Sequence, residues 1–102
     1  MIQIHAKYPL ATDDFVAVDD ATDQIMDALM LMDDVIDADL GVSMTEALVE
    51  ISFVLDTLDA LEATERGAAI LATAFRAASQ TMPETRIWLH KALVLTAETV
   101  AA

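Results

Sequence analysis

The stretch DDFVAVDDATDQIMDALMLMDDVIDAD, residues 13–39, decides the fold class that this sequence predicts. Its apolar side chains recur at alternating spacings of three and four residues, which is typical of an amphipathic α-helix with one buried seam. That seam consists of Phe15, Val18, Thr22, Ile25, Leu29, Met32 and Ile36. Thr12 or Asp13 can cap the amino end, and Gly41 can end the helix. The pattern predicts one helix over 13–39, with a break near 19–22 as an alternative.

Two further helices are predicted downstream, over residues 43–62 and 64–79. Ser43 and Glu46 form the Ser-x-x-Glu pattern of a capping box, which marks the start of the first of them. The second is slim, because several of its positions are alanine. Gly67 is the only helix breaker near their boundary, so one long bent helix remains an alternative.

A last helix is predicted over residues 82–100. Thr81 and Glu84 form another capping box, with Pro83 in the first turn. The apolar residues of this segment cover most of its circumference, which favours burial on several sides. Short connections favour antiparallel neighbours. We therefore predict an all-α fold, a compact four-helix bundle with a short extended N-terminal arm, assembled as a dimer.

The N-terminal arm, MIQIHAKY, alternates apolar and polar residues with the period of a β-strand. No other segment is interpreted as a strand, and a single strand leaves its backbone groups unpaired. It either pairs with a second copy of the chain or lies as an extended arm on the helices. We expect self-association, as a homodimer, through Ile2 and Ile4 of the arm and Trp88 and Leu95 of the last helix.

Composition limits the class of protein further. At 102 residues the chain has room for one domain. It contains no cysteine, which excludes disulfides and thiolate metal sites. Residues 1–10 lack the pattern of a signal peptide, and charged residues interrupt every apolar run well before the length of a membrane span. We expect a cytoplasmic protein that does not enter a membrane.

The charge of the chain is −13 and is unevenly distributed. Residues 8–65 hold 16 carboxylates and neither lysine nor arginine. Such a surface repels phosphate, so nucleic acid and anionic membranes are poor direct partners, and we expect neither to bind. It favours a basic protein surface as partner.

The densest part of this charge is a set of aspartates on the first predicted helix. Asp13, Asp20, Asp27 and Asp34 recur every seven residues, with Asp23 and Asp37 beside them. On one helix their charge density approaches that of one DNA strand, about one phosphate per 3.4 Å. This row predicts a module that docks on a basic protein as a nucleic-acid mimic, an inhibitor or an antitoxin. The alternative is a solvated face on a homo-oligomeric scaffold subunit.

Three apolar residues lie among these acids and away from the predicted core: Met26, Met30 and Phe53. They are interpreted either as apolar anchors for the partner or as contacts of a helix packed on two sides.

Catalytic and metal-binding motifs are missing from the sequence. Residues 37–43 resemble a calcium loop in spacing, but Val42 replaces its turn glycine and Leu48 its bidentate glutamate. His90 has no glutamate three residues before it, as a di-metal bundle requires, and its position is typical of a packed histidine. We expect no enzyme activity, no cofactor and no metal; a carboxylate metal-binding bundle is the weaker alternative.

Overall fold

The computed structural model describes residues 1–10, 14–81 and 94–100. Six elements follow one another in this part of the chain: β1 (Ile2–Pro9), α1 (Phe15–Met30), β2 (Ile36–Ser43), β3 (Leu48–Leu55), α2 (Ala60–Thr81) and β4 (Val94–Thr99).

The four strands form one antiparallel sheet in the order β2-β3-β1-β4. With its β-α-β-β-α-β element order, this is the split βαβ arrangement known as ferredoxin-like. The fold is therefore α+β, and the prediction of an all-α four-helix bundle is wrong. The fold class by itself indicates no function, because such scaffolds carry many unrelated sites.

Strand β1 lies in the middle of the sheet rather than forming an arm. Its period-two pattern points Ile2, Ile4 and Ala6 into the core, where all three are fully buried. It pairs with β3 on one side and with β4 on the other. Because both of its edges are used within the chain, β1 cannot pair with a second copy. Ile2 and Ile4 are core residues, which corrects their assignment to a self-association surface.

Strand β3 replaces most of the helix predicted over 43–62. Val49, Ile51, Phe53 and Leu55 are fully buried on the face that packs against the helices. The apolar residues of this segment fit a helical stripe as well as an alternating strand, and short apolar runs do not separate the two. Its β-branched residues and its place between β1 and β2 favour the strand.

The Ser43–Glu46 contact forms, but in a β-turn. The backbone N–H of Glu46 donates to Ser43 Oγ at 3.2 Å, and residues 44–47 turn the chain from β2 into β3. Serine side chains accept such hydrogen bonds in turns as well as at helix starts. The capping pattern therefore predicted the hydrogen bond correctly and the element wrongly.

Helix α1 is shorter than predicted. Asp14 caps it by accepting the N–H of Ala17 at 3.2 Å, and Leu31 ends it. Residues 36–43, predicted as the end of this helix and its glycine stop, form the edge strand β2. A register shift interrupts the pairing of β2 with β3 between Ile36 and Asp39, and Asp37 there adopts a φ of 51°.

Helix α2 runs unbroken through the boundary predicted at residues 62–64. Its inner face is made of small and aliphatic residues, Ala63, Gly67, Ile70, Leu71, Ala74 and Ala78. Gly67 lies inside the helix, where it permits close approach to β1 instead of ending the helix. Residues 82–93, the greater part of the last predicted helix, lie outside the described residues together with Trp88, and Val94–Thr99 is a strand.

Both helices cover the same face of the sheet and share one core with it. The opposite face carries Gln3, His5 and Lys7 of β1, all half-buried, with Lys7 Nζ 3.4 Å from Glu50 Oε1. Within the described residues, neither helix combines the length and the apolar composition that crossing a membrane requires.

Candidate protein-binding surface

The outer face of α1 carries five side chains in one line: Val16, Asp20, Asp23, Asp27 and Met30. They follow one another at spacings of four, three, four and three residues, which keeps them on a single stripe of a helix. All five are exposed, Val16 at 68% and Met30 at 73%. The line, here called the α1 row, places three carboxylates between two apolar side chains over about 21 Å.

The opposite face of α1 explains why this row faces solvent. Val18, Ala21, Ile25 and Leu29 are buried against the sheet and α2. The only buried polar side chain among the described residues is Thr22, whose hydroxyl donates to the carbonyl of Asp19 at 2.9 Å. The inner face of α1 therefore packs in the core, and the α1 row on its outer face does not contribute to the core.

Two cations of the described residues pair with acids that lie outside the α1 row. Lys7 pairs with Glu50, and Arg66 pairs with Asp34 at 3.2 Å and with Glu62 at 3.8 Å. Within the described part of the chain, no lysine or arginine forms an ion pair with Asp20, Asp23 or Asp27. These aspartates also repel one another, because Asp20–Asp23 and Asp23–Asp27 are neighbours on the helix surface.

A second exposed group lies at the end of the molecule where α1 finishes and α2 begins. Arg66 joins the two regions, since its guanidinium contacts both Asp34 after α1 and Glu62 in the first turn of α2. Glu62 in turn accepts the hydroxyl of Thr57 at 3.0 Å. Large apolar side chains project from these segments and are strongly exposed: Leu31 at 84%, Leu58 at 90% and Leu61 at 69%.

A cavity of about 310 Å³ opens between the carboxyl end of α1 and the start of β2. Its lining residues are Leu29, Met30, Val35, Asp37 and Ala38. Met30 therefore belongs both to the α1 row and to the rim of this cavity. Asp37 is exposed and is the one charged side chain among the described residues of this lining.

The structure separates the residues that the sequence grouped as partner-binding. Asp20, Asp23, Asp27 and Met30 lie together on the α1 row, while Asp34 pairs with Arg66 and Asp37 lies on β2. Asp13 lies outside the described residues. The seven-residue aspartate row therefore does not continue on one helix, because α1 ends at Met30.

Two of the predicted apolar anchors, Phe53 and Met26, are buried or half-buried in the structure. Phe53 is 0% exposed in the centre of β3, so it cannot contact a partner, which corrects its assignment. Met26 is half-buried against the core. Leu95, predicted for self-association, is half-buried on β4 opposite Ala6 of β1 and packs against the same core.

Sequence reasoning missed Val16, Leu31, Leu58 and Leu61. Val16 could have been found, because it extends the four-three spacing of Asp20, Asp23, Asp27 and Met30 by one step. In the helix predicted over 43–62, the apolar spacing puts Leu58 and Leu61 on the buried face, so no sequence signal separated them from the core.

Other titratable and metal-binding features add no second site. Among the described residues, no three or more histidine, aspartate or glutamate side chains are placed to hold a metal ion. The calcium-like segment 37–43 is an extended strand. Burial raises the pKa of Tyr8, whose ring centroid lies 4.4 Å from that of Phe75.

No protein-family model, curated protein or solved structure matches this chain.

Proposed function

We propose that this protein is a binding module that docks the α1 row on a cationic surface of another protein. The observation that carries the proposal is the row itself: three exposed aspartates that pair with no lysine or arginine of the described residues, with Val16 and Met30 exposed at its two ends. A basic partner would relieve the repulsion between the aspartates, and the two apolar ends would be covered in the same contact.

The charge density of α1 favours a partner that binds nucleic acid. Asp19, Asp20, Asp23 and Asp27 are all exposed within nine residues of helix. At 1.5 Å per residue they span about 12 Å, or about one charge per 4 Å. One strand of duplex DNA carries about one phosphate per 3.4 Å. We therefore propose an inhibitor or antitoxin that occupies a nucleic-acid-binding groove as the narrower form of this function.

Apolar contacts would add specificity that charge alone does not provide. Exposed charge pairs contribute little each, about 0–1 kcal/mol, and interfaces gain most of their binding energy from a few buried apolar or aromatic anchors. Val16 and Met30 are suited to this role, because their side chains are large, exposed and unused by the core. Leu31 continues the apolar end of the row. The proposal includes a cytoplasmic location, as expected from the sequence.

The test compares two variants with the same change in charge. The row variant carries Asp20→Asn, Asp23→Asn and Asp27→Asn. The control carries Asp39→Asn, Glu46→Gln and Asp56→Asn, which are exposed acids outside α1. Both variants are immobilised beside the unaltered protein, exposed to host lysate at low salt, and the captured proteins are identified by mass spectrometry.

The expected result is a basic protein that the unaltered chain and the control capture and the row variant does not. Duplex DNA should displace the captured protein if the α1 row occupies the groove in which that protein binds nucleic acid. Equal capture by the row variant and the control would contradict docking through α1, because net charge would then explain binding. Adding Val16→Ser and Met30→Ser to the unaltered chain should weaken capture with no change in charge.

A further inference from the structure

The cavity beside the α1 row has the composition of a binding pocket for one long side chain. Val35 and Ala38 are half-buried, packed on the core, and form an apolar wall, and the neighbouring Leu29 is fully buried. Among the described residues that line the cavity, which include Met30, Asp37 is the only charged one. At about 310 Å³ the cavity lies at the lower limit of small-ligand pockets, about 300 Å³.

The carboxylate of Asp37 has no partner within the described residues. No ion pair or hydrogen bond joins it to another side chain, although Arg66 pairs with the nearby Asp34. Asp37 lies in the interruption of the β2–β3 pairing, between Ile36 and Asp39. Such irregularities bend a strand and change the direction of a side chain.

We propose that this cavity receives a lysine or arginine side chain of the basic protein partner. The aliphatic stem would lie along Val35 and Ala38, and the cationic head would reach Asp37. Lysine and arginine bury their stems on apolar surface in this way and keep the charge at the polar edge. This inference rests on the proposed function and names one contact by which the partner is held.

Charge complementarity selects this occupant over others. Asp33, Asp34, Asp37 and Asp39 lie in the seven residues that follow Met32, so an anionic ligand would be repelled. A second copy of the chain would bring another charge of −13, so its approach to this acidic segment would be opposed by repulsion between the two copies. A foreign cationic side chain meets both the acid and the apolar wall.

The experiment uses two substitutions and two probes. Asp37→Asn removes the carboxylate at the cavity, and asparagine tolerates the positive φ of this position. Asp39→Asn is the matched control: it makes the same charge change on the same strand, opposite Ser52 and outside the cavity. The probes are decalysine and a decamer of 2,4-diaminobutyrate, which has the same charge and two fewer methylenes in each side chain.

Binding is measured by calorimetry at low salt, and the contact is located by methyl NMR. Decalysine should bind the unaltered protein and shift the methyl resonances of Val35 and Ala38. Asp37→Asn should weaken it about five-fold and Asp39→Asn less than two-fold, as expected for one partly buried ion pair against an exposed one. The diaminobutyrate decamer should bind more weakly than decalysine, by up to about four-fold per methylene lost from the cavity. Asp37→Asn should reduce the difference in affinity between the two probes.

Two results would overturn the inference. Equal losses for Asp37→Asn and Asp39→Asn, with no shift of the Val35 and Ala38 methyl resonances, would show that decalysine binds the acidic surface without entering the cavity; the proposed function would then stand. Absence of decalysine binding to the unaltered protein at low salt would overturn the cavity contact and the proposed function together.

Discussion

Gly67 of α2 lies directly against Ile4 of β1. A Cβ added at Gly67 would stand 3.0 Å from Ile4 Cγ1, 3.1 Å from Cγ2 and 3.2 Å from Cδ1. Ile4 is fully buried in the central strand, so its side chain has little room to move. This contact sets how closely α2 packs on the sheet, and it explains why a glycine is found inside a 22-residue helix.

Gly67→Ala should destabilise the protein, although alanine is the better helix former. Alanine gains about 1 kcal/mol over glycine in a helix interior. Forcing a methyl group into a packed core costs about 1–3 kcal/mol, and here the new atom meets three atoms of one side chain. We expect a net loss of about 1 kcal/mol, measured as a lower midpoint of urea unfolding at an unchanged slope.

The cause can be isolated with Ile4→Ala, which removes all three contacting atoms. In that background Gly67→Ala should become stabilising, because only the gain in helix propensity remains. Ala69→Gly, at an exposed position of the same helix, reports the propensity term alone. If Gly67→Ala destabilises equally with and without the isoleucine side chain, the contact is not responsible.

Neutralising the α1 row should stabilise the isolated protein. Asp20→Asn, Asp23→Asn and Asp27→Asn together remove the repulsion of Asp20–Asp23, Asp23–Asp27 and Asp19–Asp23. At a few tenths of a kcal/mol per pair, the gain is about 1 kcal/mol at low salt. Thermal unfolding at low and at high salt measures it, and the difference between variant and unaltered protein should shrink as salt screens the charges.

The row variant should be more stable than the unaltered protein and should also lose partner binding. Both results are expected if the aspartates contribute to binding and not to folding. The control with Asp39→Asn, Glu46→Gln and Asp56→Asn should gain less, because these acids are not neighbours on one helix face. A row variant that is less stable than the unaltered protein would show that the aspartates have favourable contacts within the chain.

The start of α2 depends on Asp59. Its carboxylate accepts the backbone N–H of Leu61 at 2.9 Å and of Glu62 at 3.3 Å, in the manner of a helix N-cap. Asp59→Ala should cost about 1 kcal/mol of unfolding free energy, whereas Asp59→Ser should retain most of it. Urea unfolding of both variants tests this, and equal losses for alanine and serine would exclude the cap as the cause.

The sequence predicted the parts of the fold in which only one periodicity fits. In residues 1–8 the alternation of apolar and polar residues has no helical equivalent, and a strand is found there. In residues 15–30 the three-four spacing continues over four turns, and a helix is found there. Residues 48–55 fit both periods, and the pattern that favoured a helix, Ser43 with Glu46, turned out to be the hydrogen bond of a β-turn.

The sequence predicted the charge of the candidate site better than it predicted the positions of the site's residues. Exposure of Asp20, Asp23 and Asp27 follows from the helix period alone, since the core residues occupy the other face. The position of Phe53 depends on which face of β3 meets the helices, and this is decided by strand pairing over the whole chain. The cavity at Asp37 depends on where α1 ends and β2 begins, a boundary for which the apolar seam gave no signal because it continued to Ile36.

Ionisation of Tyr8 should weaken the fold at high pH. Burial beside Phe75 disfavours the tyrosinate and raises the pKa of Tyr8 above its ordinary value of about 10 in the unfolded chain. The unfolded state therefore loses its proton first. This contribution to stability is complete below pH about 10 and is lost as the pH rises from there through the folded-state pKa.

Tyr8 is the only tyrosine of the chain, so absorbance of tyrosinate near 295 nm reports its titration alone. The midpoint should lie higher in the folded protein than in the protein unfolded in urea. Between pH 9 and 11, about the range of the ordinary tyrosine pKa, the unfolding free energy of the unaltered protein should fall more steeply than that of the Tyr8→Phe variant. This variant is the matched control, because it keeps the lysines and every other titrating group. Identical midpoints in the folded and unfolded chain would mean that Tyr8 is solvated in the native state and that its packing on Phe75 does not exclude water.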